Sequence, residues 1–349
     1  MNEHEPIDER LIISQFFESL RQNNIIPRDS DFVPILDGNL HRFALEGDKG
    51  SATTGAYIIH TDGCPVWHIQ DFRQGNQMIK CVFDMSVMPR DSRPQFSPEE
   101  YRRMQAENER RKQEQQKLQQ EKHRLAAIRA WTEFDSALSL KFTDSHSYLK
   151  HKHVDNFTSC DIQLKVKHKP TNDNEICRIG DLLVPVLDAA TDRFVSLIHV
   201  ADKPDSEGKY LKPFFNDTTY SGACVELIPY GFREWFCIQP DSNIINPDIN
   251  ADTVYLCEGF ATGYSVLEIT EYKAPVLCAC SCHNLLAVCK AWRSRYPEMR
   301  IVIAADHDKA GITAAQKCIN EGYAQSMTIP PIEGDDWNDA LNRMKGFIS

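Results

Sequence analysis

The 349-residue chain has no apolar run of the roughly 18 residues needed to cross a bilayer. Its first stretch, MNEHEPIDERLIISQFF, is acidic where a secretory leader would be basic. These two absences predict a cytoplasmic protein with no membrane partner. An excess of positive charge is also missing: 39 Lys and Arg stand against 50 Asp and Glu, for a net charge of −11. That balance argues against a general nucleic-acid binder, because phosphate contacts are normally made by surplus Lys and Arg. Paired zinc ligands are lacking too. His60, Cys64 and His68 are close in sequence, but strand alternation and the lack of a second ligand pair give them a structural reading. The alternating cysteines of CACSCH, Cys278 to His283, point to opposite faces of an extended segment and so do not make a zinc site. The 12 cysteines are scattered, mostly within strand-like runs, which predicts free buried thiols in a reducing compartment rather than disulfides.

Net charge hides distribution. From Lys141 to Lys169 there are six Lys against three Asp, with His146, His151, His153 and His168 among them. This is a local basic segment in an acidic protein.

The remaining pattern is α/β. Residues 1–90 read as a small α/β module: DERLIISQFFESLRQNN has apolar residues at helical spacing, and GAYIIHTDGCPVWHIQDF reads as two strands joined at Asp62-Gly63. Residues 97–135 read as a charged helical linker that starts at Ser97-Pro98. From Glu99 to Arg124 it carries eight basic residues, six Glu and six Gln, so it can bury little. Leu118 and Leu125, one heptad apart, leave a coiled-coil alternative open. A second α/β segment covers 136–245; in it GDLLVPVLDAATDRFVSLIHV alternates as two strands around a turn at Asp188 to Arg193, and GKYLKPFF follows as a lysine-bearing strand or loop. Residues 250–349 change rhythm. TVYLCEGF, APVLCACSC, RIVIAAD and SMTIPP are short, nearly continuous apolar runs separated by helical stretches. Such strands form a parallel sheet covered on both faces, with ligands just beyond the strand carboxyl ends.

Acids fall at those ends. Glu258 closes the first run, Asp306 and Asp308 the third, and Asp335, Asp336 and Asp339 follow the fourth. Alternation puts Asp306 and Asp308 on one side, with His307 facing away. Two bare carboxylates roughly 5 Å apart at an effective dielectric of about 20 repel by about 3 kcal/mol, so something must offset them. Protons could, through raised pKa values. A hard divalent cation could also, and Mg²⁺ typically takes one or two carboxylates plus substrate phosphates. No nucleophilic Ser or Cys with a nearby His competes, so metal-assisted phosphoryl or nucleotidyl transfer is the better account. Helix capping by Asp308 and Asp339 is the competing structural explanation.

An acidic residue followed by Gly after one strand, then Asp-x-Asp with a basic residue, Ala and Gly after a later one, resembles the Toprim domain of bacterial primases, topoisomerases and some nucleases. Residues Arg178 to Phe214, with Lys-Tyr-Leu at 209–211, resemble the basic half of the bacterial primase polymerase core. EGFATG, the stretch from Gly38 to Gly75 and the charged helix resemble TraC-type primases of plasmids and phages. The resemblance implies a carboxyl-terminal Toprim domain preceded by a primase-type subdomain. It implies Mg²⁺- or Mn²⁺-dependent synthesis of short primers on single-stranded DNA from nucleoside triphosphates, with a replicative helicase or other replication protein as partner. Template would follow residues 141–169 and the Lys209 region, stacking on Tyr210, Phe214 or Phe215 or leaving those rings to the core. Glu258 would lie nearest the chemistry; Asp306, Asp308 and Asp336 would hold metal; Arg178, Lys209, Lys212, Lys309 and Asn338 would meet nucleotide or template. Those primases commonly carry an Asp four residues after the Glu, where Thr262 stands here, so one metal ligand is missing or replaced. Their zinc-binding module and any helicase P-loop are also absent from this sequence. A Toprim nuclease and a catalytically degenerate DNA- or partner-binding protein are the competing functional classes.

Overall fold

A computed structural model describes residues 7–61, 64–74, 78–88, 98–141, 145–155, 157–169, 178–234 and 248–348. They divide into two compact units, Met1–Arg110 and Arg111–Ser349.

In the first unit, helix α1 (Glu9–Gln22) is capped by the Asp8 carboxylate, which accepts from the Arg10 N–H at 2.9 Å. It buries Ile12, Phe16 and Leu20, spaced four residues apart and so on one helical face. That face packs with an antiparallel sheet ordered β1 (His41–Phe43), β2 (Gly55–His60), β3 (Val66–Asp71) and β4 (Ile79–Val82). Strands β2 and β3 pair as the sequence predicts, Tyr57 opposite Ile69; the expected Asp62-Gly63 turn lies outside the described residues.

Helix α2 (Pro98–Ser136) is exposed along its charged half, and Leu118 and Leu125 are exposed with it. Its last turns are not a solvated linker. Ala130 and Phe134 are buried against Leu183, Leu187, Phe194, Leu197 and Phe215, because the helix sequence turns apolar after Leu125. Phe215 is therefore a core residue and not a stacking platform.

The second unit is built on one nine-stranded sheet. Its order is β13 (Ser326–Thr328), β12 (Arg300–Ala304), β10 (Thr253–Cys257), β11 (Val276–Cys278), β9 (Ala223–Leu227), β7 (Leu182–Asp188), β6 (Lys165–Val166) and β5 (Leu138–Ser139), with β8 (Phe194–Val200) paired to β7. Strands β10 to β13 are parallel, as their continuous apolar runs predict. Strand β9 joins them antiparallel, Val225 opposite Cys278, and joins β7, Leu187 opposite Cys224. The two segments expected at 136–245 and 250–349 thus share a single sheet. Buried residues alternate between its faces. Cys257, Cys278 and Ala304 pack with α4 (Phe260–Ile269), while Val254, Leu256, Leu277, Ile301 and Ile303 pack with α5 (Leu285–Arg295) and α6 (Lys309–Asn320). Of the remaining helices, α3 (Ser147–His151) carries the buried Tyr148 and Leu149, and α7 (Trp337–Met344) packs against α4.

A buried charge network ties the two halves of this sheet together. The Arg233 guanidinium lies 2.6 Å from Glu226 on β9, 3.4 Å from Asp161 and 3.6 Å from Asp192 in the β7–β8 turn; Arg295 of α5 pairs with the same Asp192.

Part of the expected basic template segment is spent on folding. Lys167 is buried and pairs with Glu133 of α2 at 2.9 Å, and Lys165 is buried with its ammonium over the Phe134 ring. These two lysines are unavailable to a template; residues 142–144 and 156 of the segment lie outside the described residues.

Candidate active site

The acidic residues converge because each one directly follows a strand or caps a helix at one sheet edge. Strand β10 ends at Cys257, and α4 begins at Phe260 with Gly259 as its N-cap and no side-chain capping bond. Glu258 therefore sits beside the unsatisfied N–H groups of a helix start. Gly-Phe-Ala-Thr-Gly forms the N-cap and first turn of this helix. Gly263 is needed for packing: a Cβ there would lie 2.3 Å from Cys278 Sγ and 2.9 Å from Leu227 Cδ1. Thr262, where related primases offer an Asp, is buried in the same turn.

The CACSCH stretch has a role the sequence did not reveal. Cys280 takes a left-handed conformation (φ 65°) and its N–H donates to the Glu258 carbonyl at 2.8 Å. Burial raises the Glu258 carboxyl above its ordinary range, with Asp308 adding to the rise, while the Cys282 N–H opposes it.

Asp306 follows β12. Its carboxyl is pushed up to about 7, first by burial and then by the charges of Asp336, Glu258, Asp308 and Asp339. One of its oxygens is buried with no hydrogen-bond partner among the described residues. Asp308 caps α6, accepting from Gly311 N–H at 2.7 Å. Asp336 caps α7 in a reciprocal box with Asp339, accepting from the Asp339 N–H at 2.8 Å. Capping uses only part of the acceptor capacity of a carboxylate, so both residues can cap a helix and still face the set. His307 points elsewhere, to the Pro330 carbonyl at 2.8 Å, and Asp335 is taken by Arg343 at 2.9 Å.

Gly311 keeps this corner closed. A Cβ there would stand 2.8 Å from the Asp306 carbonyl oxygen and 3.2 Å from its nitrogen. Gly311→Ala is expected to cost about 1–3 kcal/mol of stability through overpacking, read from the urea midpoint. An unchanged midpoint would show that the loop yields freely.

Opposite the acids stands Lys212. It is solvent-accessible, and its ammonium lies 4.9 Å from the centroid of the buried Tyr148 ring. Surrounding protein lowers its pKa, Lys152 lowers it further, and Asp336 and Glu258 oppose both. Lys152 is thus the cation that the sequence did not single out; it lies next to α7, its carbonyl accepting from Asn338 at 2.8 Å. The other expected binding residues do not converge here in the same way. Lys209 is exposed and pairs with Glu207 at 3.2 Å; Arg178 and Lys309 are exposed. Asn338 is 1% exposed, and its amide donates to Lys152 O and to Ser265 Oγ, tying α7 to α3 and α4. That is a structural position, not one that meets nucleotide.

An all-oxygen donor set with an unpartnered buried oxygen fits a hard divalent cation. Among the described residues no three His, Cys, Asp or Glu converge tightly enough to hold a metal by themselves. A hard divalent cation held here would have to complete its shell with water and substrate phosphate.

Comparison with known proteins agrees with this geometry. Residues 253–346, from β10 through α7, match the Toprim domain family. Residues 253–346 are therefore similar to Toprim domains. Over 295 residues the chain is 24% identical to DNA primase TraC of Escherichia coli, covering 84% of this chain and 23% of that protein. The chain therefore spans less than a quarter of that relative's length. Solved structures with a distant likeness include a DnaG primase catalytic domain bound to single-stranded DNA (12% identity, TM-score 0.39, 66% of this chain and 80% of that one). The Aquifex aeolicus primase zinc-binding and RNA polymerase domains (9% identity, TM-score 0.37) cover 96% of this chain and 81% of that one. These structural likenesses are too remote to carry a mechanism. The chain is thus similar to Toprim domains over residues 253–346 and to DNA primase TraC over 295 residues. Among the described residues no helix is long and apolar enough to cross a membrane.

Proposed function

We propose that this chain is a DNA primase of a mobile element, a plasmid or phage, which joins nucleoside triphosphates into short primers on single-stranded DNA. The observation that carries the reading is Asp306. Its carboxyl is raised to about 7 among four other acids and holds a buried, unpartnered oxygen, at the strand ends of a Toprim domain. Structural carboxylates are normally paired; a site left unbalanced suits a cation that arrives with substrate.

Glu258, Asp306, Asp308 and Asp336 would hold Mg²⁺, or Mn²⁺ in its place. When bound, the ion would neutralise phosphate charge and lower the pKa of the attacking 3′-hydroxyl. The protein would supply the rest. Glu258 would stand nearest the attacking hydroxyl, whose proton would pass to water. Lys212 and Lys152 would hold triphosphate oxygens across from the acids, so that catalysis is mostly positioning and charge stabilisation. Lys309, at the start of α6, and the exposed Arg178 and Lys209 would follow template backbone. A replicative helicase or other replication protein would supply the template strand.

A 5′-labelled single-stranded DNA incubated with Mg²⁺ and differently labelled NTPs tests this reading. Incorporation into new short oligonucleotides supports it; shortening of the labelled strand without incorporation would make the site a nuclease. In the same assay Lys212→Ala is expected to lower the synthesis rate about tenfold, roughly 1.4 kcal/mol of transition-state stabilisation. Lys209→Ala should change it much less, because that side chain does not face the acids.

A further inference from the structure

Beside the acidic edge, the sheet face of β10, β12 and β13 is only partly covered by α4 and α7, leaving an open cleft of about 340 Å³. The register puts Thr253 beside Arg300, Tyr255 beside Val302, and Val302 beside Ser326, so these side chains share one face. On the opposite face the same strands are sealed by α5 and α6.

We propose that this cleft is a nucleotide-binding site separate from the catalytic one and independent of divalent metal. Four features of its lining support that ligand class. Tyr255 and Trp337 contribute aromatic surface on which a planar base can pack. Arg300 is exposed and pairs with no carboxylate among the described residues, which leaves a guanidinium for a phosphate. Hydroxyls of Thr253, Ser326 and Thr328 line the same space and match a sugar. Among the described residues no Asp or Glu lines the cleft, so an anion meets no like charge from them and needs no bridging metal. Its volume lies within the range of small-ligand sites. The two sites share supports: Trp337 directly follows Asp336, and Ala304 ends the strand that leads into Asp306.

Equilibrium dialysis of the full chain with labelled AMP and UMP as probes, in EDTA, tests the proposal while the acidic site lacks metal. Saturable one-to-one binding of at least one probe is expected. Arg300→Ala should weaken it about tenfold. Ser326→Trp, which fills the cleft, should abolish it, and Asp306→Asn should leave it unchanged. Circular dichroism melting keeps loss of binding distinct from loss of fold. No saturable binding of either probe into the millimolar range would overturn the proposal. So would binding indifferent to both cleft substitutions, or binding lost in Asp306→Asn. None of these outcomes depends on primer synthesis, so this inference and the proposed catalytic function fail separately.

Discussion

Asp306→Asn is expected to reduce metal-dependent primer synthesis by about 10³-fold, roughly 4 kcal/mol, while making the metal-free protein more stable at about pH 8. The two effects share one cause. In the folded chain this carboxyl titrates at about 7, against its ordinary 3.8, because burial and then four neighbouring acids disfavour its charged form. The folded state therefore binds the proton more tightly than the unfolded state. The stability this contributes is fully present below about pH 4 and is lost as pH rises through about 7. Asparagine keeps the neutral form at every pH. At full value the difference approaches 4 kcal/mol, but the side chain is only partly buried, and screening cuts the expected gain to about 1–2 kcal/mol. Thermal melts in EDTA at about pH 3.5, pH 5 and pH 8 should show no advantage of the variant at the lowest pH and an advantage that grows with pH and is largest at pH 8. A variant less stable than wild type at pH 8 would mean that Asp306 is a structural carboxylate.

The largest effect on folding is expected from Arg233→Met. The guanidinium is almost wholly buried and faces Glu226, Asp161 and Asp192, leaving Arg295 as the other cation of the network. Removing one partner from a buried ion pair costs about 3–5 kcal/mol, since the remaining charges stay desolvated, whereas replacing both partners with apolar groups can be nearly neutral. Arg233→Met should therefore lower the urea midpoint strongly at neutral pH, and the further change Glu226→Met should restore part of the loss. Burial already raises Asp161 to about 6, and burial together with Asp192 holds Glu226 well above the usual carboxyl range. These groups can take up protons once the arginine is gone, so the single variant should recover part of its stability on acidification to about pH 5. A midpoint equal to that of wild type would remove the network from the account of how the two halves of the sheet are held together.

The parallel sheet was legible because β10, β11 and β12 are buried along most of their length and so read as nearly continuous apolar runs. The acids could be located for the same reason: Glu258 and Asp306 interrupt the apolar pattern where their strands end. What the sequence hid depends on long-range pairing. Nothing local in ACVEL announces that β9 will align Val225 with Cys278 and merge two segments into one sheet. Lys152 and Lys212 are far apart in the chain, so only the fold puts both near Asp336. Asn338 follows the acids in sequence, yet the first turn of α7 rotates it inward to Ser265. Gly263 is likewise explained only by the fold: it permits close packing of helix on sheet.

Labelled NTPs on circular single-stranded DNA, given to wild type and Asp306→Asn side by side with and without EDTA, test the central claim most directly. The account predicts short oligonucleotide products from wild type that vanish in EDTA, and none above background from the folded variant. Equal product from both proteins, or product that persists in EDTA, would contradict it.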